Sequence, residues 1–216
     1  MLKKLIAIYI IFLLIGPFVV YSTNKSLYLN PTLNLSFALN FIQRAIALIV
    51  FIMMAVQIIT ASFMDALKRK FGDNISKFHF VQGVIIYSFI LVHILSFLLT
   101  LTFSRRIIDP FYIFSDFCIL CKEKHELFLS LGRFSFWLIT LTGITSLLKK
   151  HPSLIKNWRL LHYFNYIVFV LVLIHAKFIG SDIASNFYSP VFYLFSLMVF
   201  IIMVVNLIRS RTITLR

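Results

Sequence analysis

Six long apolar runs set the strictest limit on what this chain can fold into. A helix needs about 20 mainly apolar residues to cross a bilayer, and these runs lack the every-second-residue alternation of barrel strands. The chain is 61% hydrophobic and only 13% charged, whereas soluble domains are about 45–50% apolar and about 25% charged. The sequence therefore predicts an all-α integral membrane protein, a single domain over residues 1–216 with six transmembrane helices. The predicted spans are about 5–21, 35–64, 78–103, 127–148, 160–179 and 183–208.

Lysine and arginine are divided unevenly between the connections that join these runs. Of the 21, thirteen fall on the side of the N-terminus, six fall on the other side, and Arg44 and Arg133 fall inside spans. Cytoplasmic connections carry the excess of basic residues, so both termini are predicted to be cytoplasmic. The net charge of +14 is thus mainly a topology signal that also suits contact with the lipid bilayer surface. Nucleic-acid binding has no support.

Two of the predicted spans carry a pair of histidines each. His79 and His93 lie in the third span, and His162 and His175 lie in the fifth. An ionisable residue inside a span is costly and usually has a partner there, and haem iron can take two axial histidines from facing helices. From the first to the second histidine, the third span rises about 21 Å and the fifth about 20 Å, along parallel helices. We therefore expect two stacked b-type haems, with the first histidine of each span on the inner iron and the second on the outer iron. Polar packing between helices is the alternative.

The angular positions of the four histidines agree less well than their heights. At about 100° per residue, fourteen residues bring His93 to within about 40° of the His79 face. Thirteen residues leave His175 about 140° from His162 on an ideal helix. Either the fifth helix is locally overwound, or side-chain rotamers and helix tilt absorb the difference, and the sequence leaves both open.

The histidine pattern resembles the ferric reductase-like transmembrane domain, which ferric reductases and NADPH oxidases share. The stretches "KFHFVQG", "LGRFSFWLITLTGITSLLKK" and "NWRLLHYFNYIVFVLVLIH" fit it too, and the resemblance covers about residues 35–208. It implies a six-helix bundle that passes electrons from a cytoplasmic reduced flavin to an extracytoplasmic acceptor, either ferric iron or a partner reductase. By position, it assigns His79 and His162 to the inner haem, and His93 and His175 to the outer haem.

Two departures from the family pattern refine that expectation. No G-x-G-x-x-G appears before Arg216, so the resemblance implies an electron-transfer subunit of a membrane oxidoreductase, with its flavin supplied by a separate cytoplasmic flavin reductase. Phe97 stands where oxidase members tend to carry a further histidine. The chain is also similar to the haem-binding membrane subunit of the periplasmic methionine sulfoxide reductase system, which commonly lacks a counterpart of His79. That similarity implies a bacterial plasma membrane.

Four further residues invite a functional interpretation. Arg44 and Arg133 are charged residues within spans and need a counter-charge; haem propionates would supply one, and snorkelling to the outer interface is the alternative. Cys118 and Cys121 form C-x-x-C without the following histidine of a c-type haem motif. A local disulfide or a redox relay from the outer haem remains open for them.

Two other functions compete with the haem conduit. A quinol-linked cytochrome b subunit also uses paired histidines on parallel helices, and it should contain a quinone pocket. A haem-free membrane scaffold or proton-conducting protein would use the histidines as proton-relay groups. A b-type absorption spectrum separates the conduit from the haem-free alternative.

Overall fold

The computed structural model describes residues 2–25, 35–105, 111–115, 117, 118, 120, 122–148, 151 and 158–214. These residues form helices, turns and short irregular segments, with no strand among them. The helices are α1 (Leu2–Thr23), α2 (Leu35–Ser62), α3 (Met64–Phe71), α4 (Asn74–Arg105), α5 (Lys124–Leu147), α6 (Trp158–His162), α7 (Phe164–Ile179) and α8 (Tyr188–Thr214), with a 3₁₀ turn at Ser181–Ala184.

Within the described part of the chain, six helical stretches are long and apolar enough to cross a membrane. They correspond to α1, α2, α4, α5, α6 with α7, and α8, which confirms the prediction of six apolar helices. The last helix starts later than predicted, at Tyr188 rather than near residue 183. The Ser185 hydroxyl accepts a hydrogen bond from the Tyr188 amide at 3.2 Å, as a capping side chain does at a helix start.

The fifth span is interrupted at Tyr163, one residue after His162. The amide of Tyr163 donates to the Leu160 carbonyl at 3.2 Å, and the amide of Tyr166 donates to the Tyr163 carbonyl at 3.0 Å. Both bonds join residues three apart, which is the 3₁₀ pattern with about 120° per residue instead of about 100°. The helix is therefore locally overwound between His162 and His175, and the overwinding removes part of the angular offset that the sequence left open.

Helix α2 lies at the centre of the packing and contacts α1, α4, α7 and α8, while α5 packs mainly on α7. Phe51 of α2 is 2% exposed and stacks on Phe169 and on Phe192, with ring centroids 5.4 and 4.7 Å away. Gly16 lets α1 approach α2 closely, because an added Cβ would lie 2.9 Å from the Leu48 Cβ. Phe169, midway between the two histidines of its span, thus belongs to the aromatic core.

Helix α3 is short and ends in three basic residues, Lys68, Arg69 and Lys70. All three are exposed, and their charge is favourable near the negative end of the helix dipole. The chain then turns at Gly72, which has a φ of 69°, and enters α4 a few residues before His79. A basic surface therefore adjoins the start of the helix that carries His79.

Candidate functional site

His93 and His175 are both fixed by a backbone carbonyl from a neighbouring helix. The Nδ1 of His93 donates to the carbonyl of Gln43 at 2.9 Å, and the Nδ1 of His175 donates to the carbonyl of Phe128 at 2.8 Å. Because a carbonyl oxygen only accepts, each Nδ1 must carry the proton, and the Nε2 of each neutral ring keeps its lone pair. A metal-binding histidine is usually oriented in this way.

Both of these histidines line one cavity of about 400 Å³, bordered mainly by α2, α4, α5 and α7. Its walls are mostly apolar, with Phe51 and Val172 among them, and its polar lining includes Arg44 and Arg133. Cofactor pockets typically have volumes of about 300–1,000 Å³, apolar walls and a few convergent polar groups. We call this space the His93–His175 cavity.

The ring of His175 lies directly over Gly132 of α5. A Cβ added to Gly132 would lie 2.8 Å from both Cε1 and Nδ1 of His175. Gly132 is also four residues after Phe128, so it occupies the next helical turn above the carbonyl that holds His175. The glycine therefore exposes that carbonyl, and His175 can reach it only because no side chain covers it.

His79 and His162 form the second pair. Their ring centroids are 6.5 Å apart, and the ring planes meet at 62°. Two imidazoles that bind one metal at about 2.0–2.1 Å from opposite sides have centroids about 6.3 Å apart. His79 and His162 lie near the starts of their spans, and His93 and His175 lie further along and share a cavity, so α4 and α7 run parallel. Ligation of haem by these pairs stays a prediction.

The second pair is held by hydroxyl groups instead of carbonyls. The Nδ1 of His162 lies 3.0 Å from the Ser146 hydroxyl, and the Nδ1 of His79 lies 3.5 Å from the Thr60 hydroxyl. Ser146 donates its own proton to the Thr142 carbonyl at 2.7 Å, and Thr60 donates to the Val56 carbonyl at 2.8 Å. Because a hydroxyl can donate or accept, these contacts position both rings without fixing which ring nitrogen carries the proton.

Asn165 adds a further contact beside His162. Its side-chain nitrogen lies 3.3 Å from the His162 Nδ1 and donates to the His162 backbone carbonyl over a shorter distance, 2.9 Å. The Asn165 side-chain oxygen accepts from Thr142 at 2.9 Å. These bonds fix the amide group beside the His162 ring.

Within the described residues, no group of three or more His, Cys, Asp or Glu side chains is arranged to hold a metal ion. Axial ligation of a haem iron uses two protein ligands, because the macrocycle supplies the rest. That the two histidine pairs hold haem stays a prediction. In the His93–His175 pair the lone-pair Nε2 would be the ligating atom.

Arg44 has a counter-charge within the protein. Its Nη2 and Nε donate to the two oxygens of Asp182 at 2.7 and 2.8 Å, and Asp182 is 4% exposed. Thr23 of α1 also donates to Asp182 at 3.1 Å. This two-bond geometry is strong for an arginine and a carboxylate, so Arg44 does not require a propionate as its counter-charge. Its role in binding haem stays a prediction.

Arg133 is 6% exposed, and its guanidinium lies 4.0 Å from the ring centroid of Tyr112. Both residues line the His93–His175 cavity. A cation over an aromatic face is a favourable contact. Snorkelling to the surface, the alternative for this residue, does not fit its burial.

The connection between α4 and α5 contains Cys118. Cys118 is disulfide-bonded, its amide donates to the Ser130 hydroxyl at 2.9 Å, and Cys121 lies outside the described residues. The disulfide fits the simpler of the two interpretations of C-x-x-C. His125 is in the first turn of α5 and is exposed, with its Nδ1 3.9 Å from Glu126. His151 is also exposed.

Sequence reasoning missed three kinds of residue at the site. Asp182 lies just beyond the predicted fifth span, yet it is buried in the 3₁₀ turn that follows α7. Thr60 and Ser146 resemble ordinary polar residues of a span, and their role appears only through their distances to His79 and His162. Gly132, next to Arg133, had no signal that distinguished it from a packing glycine.

Comparisons with protein-family models, with curated proteins and with solved structures found no match to this chain. The resemblance to the ferric reductase-like domain therefore depends on the residues quoted above. The histidine geometry is an independent observation.

Proposed function

We propose that this protein is a transmembrane electron-transfer subunit that holds two b-type haems. In this proposal electrons enter from a cytoplasmic reduced flavin, bound to a separate flavin reductase, and leave to ferric iron or a partner reductase on the other side. His79 and His162 hold one haem, and His93 and His175 hold the other. Bound haem would supply one-electron redox chemistry, and the protein sets its ligands, position and dielectric surroundings.

One observation carries the proposal: the four histidines within the spans form two facing pairs. The ring centroids of His79 and His162 are 6.5 Å apart, and His93 and His175 line one cavity, where each Nδ1 donates to a backbone carbonyl. A histidine that relays protons needs hydrogen bonds at both ring nitrogens, whereas an axial ligand needs its Nδ1 fixed. The pairing and the fixed Nδ1 of His93 and His175 therefore favour metal-binding pairs over a proton relay.

The charged residues of the His93–His175 cavity support a haem with its propionates there. Arg133 presents a buried guanidinium, and Arg44 is already neutralised by Asp182. A haem carries two propionates, so Arg133 is the better of the two candidates to pair with one of them. Gly132 and the mostly apolar walls suit the porphyrin.

The basic end of α3 supports electron entry near His79. Lys68, Arg69 and Lys70 are exposed beside the turn that leads into α4. A flavin nucleotide carries phosphate, and positive charge raises the rate at which a negatively charged partner arrives. The same residues also serve the predicted topology.

Purification with haem available tests the proposal. We expect a coloured protein with the spectrum of b-type haem and two haems per chain by pyridine haemochrome assay. A colourless protein that remains folded by circular dichroism would refute the proposal.

Single substitutions test the assignment of the four ligands. His79→Ala and His162→Ala should each remove one haem, while His125→Ala, an exposed histidine outside both pairs, should keep two. If His125→Ala loses as much haem as the others, the loss reflects general instability, and the assignment fails.

A further inference from the structure

Two glutamines join α2 and α4 by hydrogen bonds that run in opposite directions. The Gln57 Nε2 of α2 donates to the His79 carbonyl of α4 at 2.8 Å, and the Gln82 Nε2 of α4 donates to the Met53 carbonyl of α2 at 2.9 Å. Each acceptor carbonyl lies about one helical turn before the glutamine that makes the other bond. We call this reciprocal pair of bonds the glutamine clamp.

A glycine leaves the His79 carbonyl open to Gln57. Gly83 lies four residues after His79, in the next turn of α4. A Cβ added to Gly83 would lie 3.2 Å from the Gln57 Nε2. The carbonyl that holds His175 is open in the same way beside Gly132. In both places a donor from a second helix reaches a helical carbonyl because the residue one turn later has no side chain.

The glutamine clamp is a costly device for an apolar interface. The Oε1 atoms of Gln57 and Gln82 are buried, and neither has a hydrogen-bond partner among the described residues. An unpartnered polar atom opposes folding, and hydrogen bonds between membrane helices add little net stability. Stability alone therefore does not explain the two glutamines, whereas a polar residue in a helix interface can fix register at a cost in stability.

Apolar packing does not fix the orientation of α4 at this level. Phe80 and Val81, which flank the clamp residues of α4, are 57% and 53% exposed, so this helix is apolar on its lipid-facing side as well. Lipid tails are as apolar as these side chains, and a rotation of α4 that exchanges one apolar face for another changes burial little. The clamp opposes such a rotation, because both amides would lose their carbonyls.

We infer that Gln57 and Gln82 are positioning residues that hold the start of α4 so that His79 faces His162. One clamp bond ends on the His79 backbone itself, and Thr60, also of α2, lies 3.5 Å from the His79 ring. His162 is held separately, from α5. The two rings, 6.5 Å apart, therefore face each other only while α4 keeps its orientation on α2. The consequence for a bound haem rests on the proposed function; the orientation of α4 does not.

Distances between spin labels on the full chain in nanodiscs test the orientation of α4, whether or not haem is bound. Nitroxides are attached to Val84→Cys on α4 and Ile167→Cys on α7, both at exposed positions, and the described residues include no free cysteine that would compete for the label. We expect one narrow distance distribution in this background, and a broader or displaced one after Gln57→Leu or Gln82→Leu. An unchanged distribution in both variants would overturn the inference.

A second readout follows the haem that His79 and His162 would hold. The electron paramagnetic resonance signal of a low-spin haem responds to the angle between its axial imidazoles, so each haem reports on its own pair. We expect Gln57→Leu to alter the signal of one haem and to speed the release of that haem to apomyoglobin by about 2- to 10-fold, the effect of one lost hydrogen bond. The other signal should stay unchanged, because His93 keeps its own bond to the Gln43 carbonyl of α2.

Two matched variants separate positioning from a general loss of packing. Tyr87→Phe removes a different bond of α4, the 3.2 Å contact with the Thr140 hydroxyl of α5, and should leave label distances and both haem signals unchanged. Gln57→Glu should restore the signals that Gln57→Leu alters, because a buried carboxyl stays protonated and can donate to the His79 carbonyl. Equal changes at both haems, or the same changes in Tyr87→Phe, would overturn the inference. Absence of haem from every variant would refute the proposed function alone, since the label distances test the clamp by themselves.

Discussion

Gly132→Ala should remove the haem held by His175. The added Cβ would lie 2.8 Å from two atoms of the His175 ring, whereas carbon atoms in contact are about 3.5–4.0 Å apart. The ring would have to withdraw by about 0.7 Å or more, which stretches its 2.8 Å bond to the Phe128 carbonyl towards the limit of a hydrogen bond. Overpacking of this kind costs about 1–3 kcal/mol, which corresponds to about 5- to 150-fold weaker binding.

The matched control is Gly143→Ala, on the same helix and with nothing within 4 Å of the added Cβ. Alanine is favoured over glycine in a helix by up to about 1 kcal/mol, so both variants gain the same helix propensity. Haem per chain, by pyridine haemochrome assay, should fall towards one in Gly132→Ala and stay at two in Gly143→Ala, with circular dichroism as the check on folding. Equal haem content and identical spectra in the two variants would refute the reasoning.

Three further predictions follow from the site and its surroundings. His93→Ala should remove the haem that it shares with His175 and leave the other reducible, as followed by redox titration; two intact bis-histidine haems in this variant would contradict the pairing. Asp182→Asn should lower the free energy of unfolding by about 3 kcal/mol, because it leaves the Arg44 charge without its carboxylate, and adding Arg44→Gln should recover part of that loss in thermal unfolding. Replacing the basic residues 68–70 with glutamine should slow the reduction of the haems in vesicles by a flavin reductase with NAD(P)H, while the haem spectrum stays unchanged. Raised salt should slow the same reduction in the wild type. Unaltered rates would limit these residues to a topological role.

The helices could be predicted from the sequence because apolar runs of this length have one stable conformation in lipid. Helix ends were less certain: the late start of α8 depends on a 3₁₀ turn and a cap from Ser185, which hydropathy does not register. The spacing of the four histidines gives equal heights on parallel helices, and their use as haem ligands stays a prediction. The overwinding at Tyr163 was one of two possibilities that the sequence left open, and the backbone hydrogen bonds show that it accounts for part of the angular difference.

The groups that hold the histidines could not be predicted from the sequence. Backbone carbonyls such as that of Phe128 belong to every residue, so nothing in the sequence marks the ones that accept from His93 and His175. The partner of Arg44 was missed for a related reason. Asp182 is far away in the chain and lies beyond the apolar run, yet the 3₁₀ turn brings it back over the cavity.

The Arg44–Asp182 pair joins residues that are 138 positions apart, and this separation has a consequence for biosynthesis. At about 5–20 residues per second, the ribosome completes Asp182 about 7–28 s after Arg44. During that interval α2 must enter the membrane with an uncompensated guanidinium, which costs about 2.5–3.5 kcal/mol at the centre of a helix and less near its end. The apolar residues of α2 must therefore carry its insertion unaided, and substitutions that make this helix more polar should lower the yield of inserted protein even where they leave the finished bundle stable.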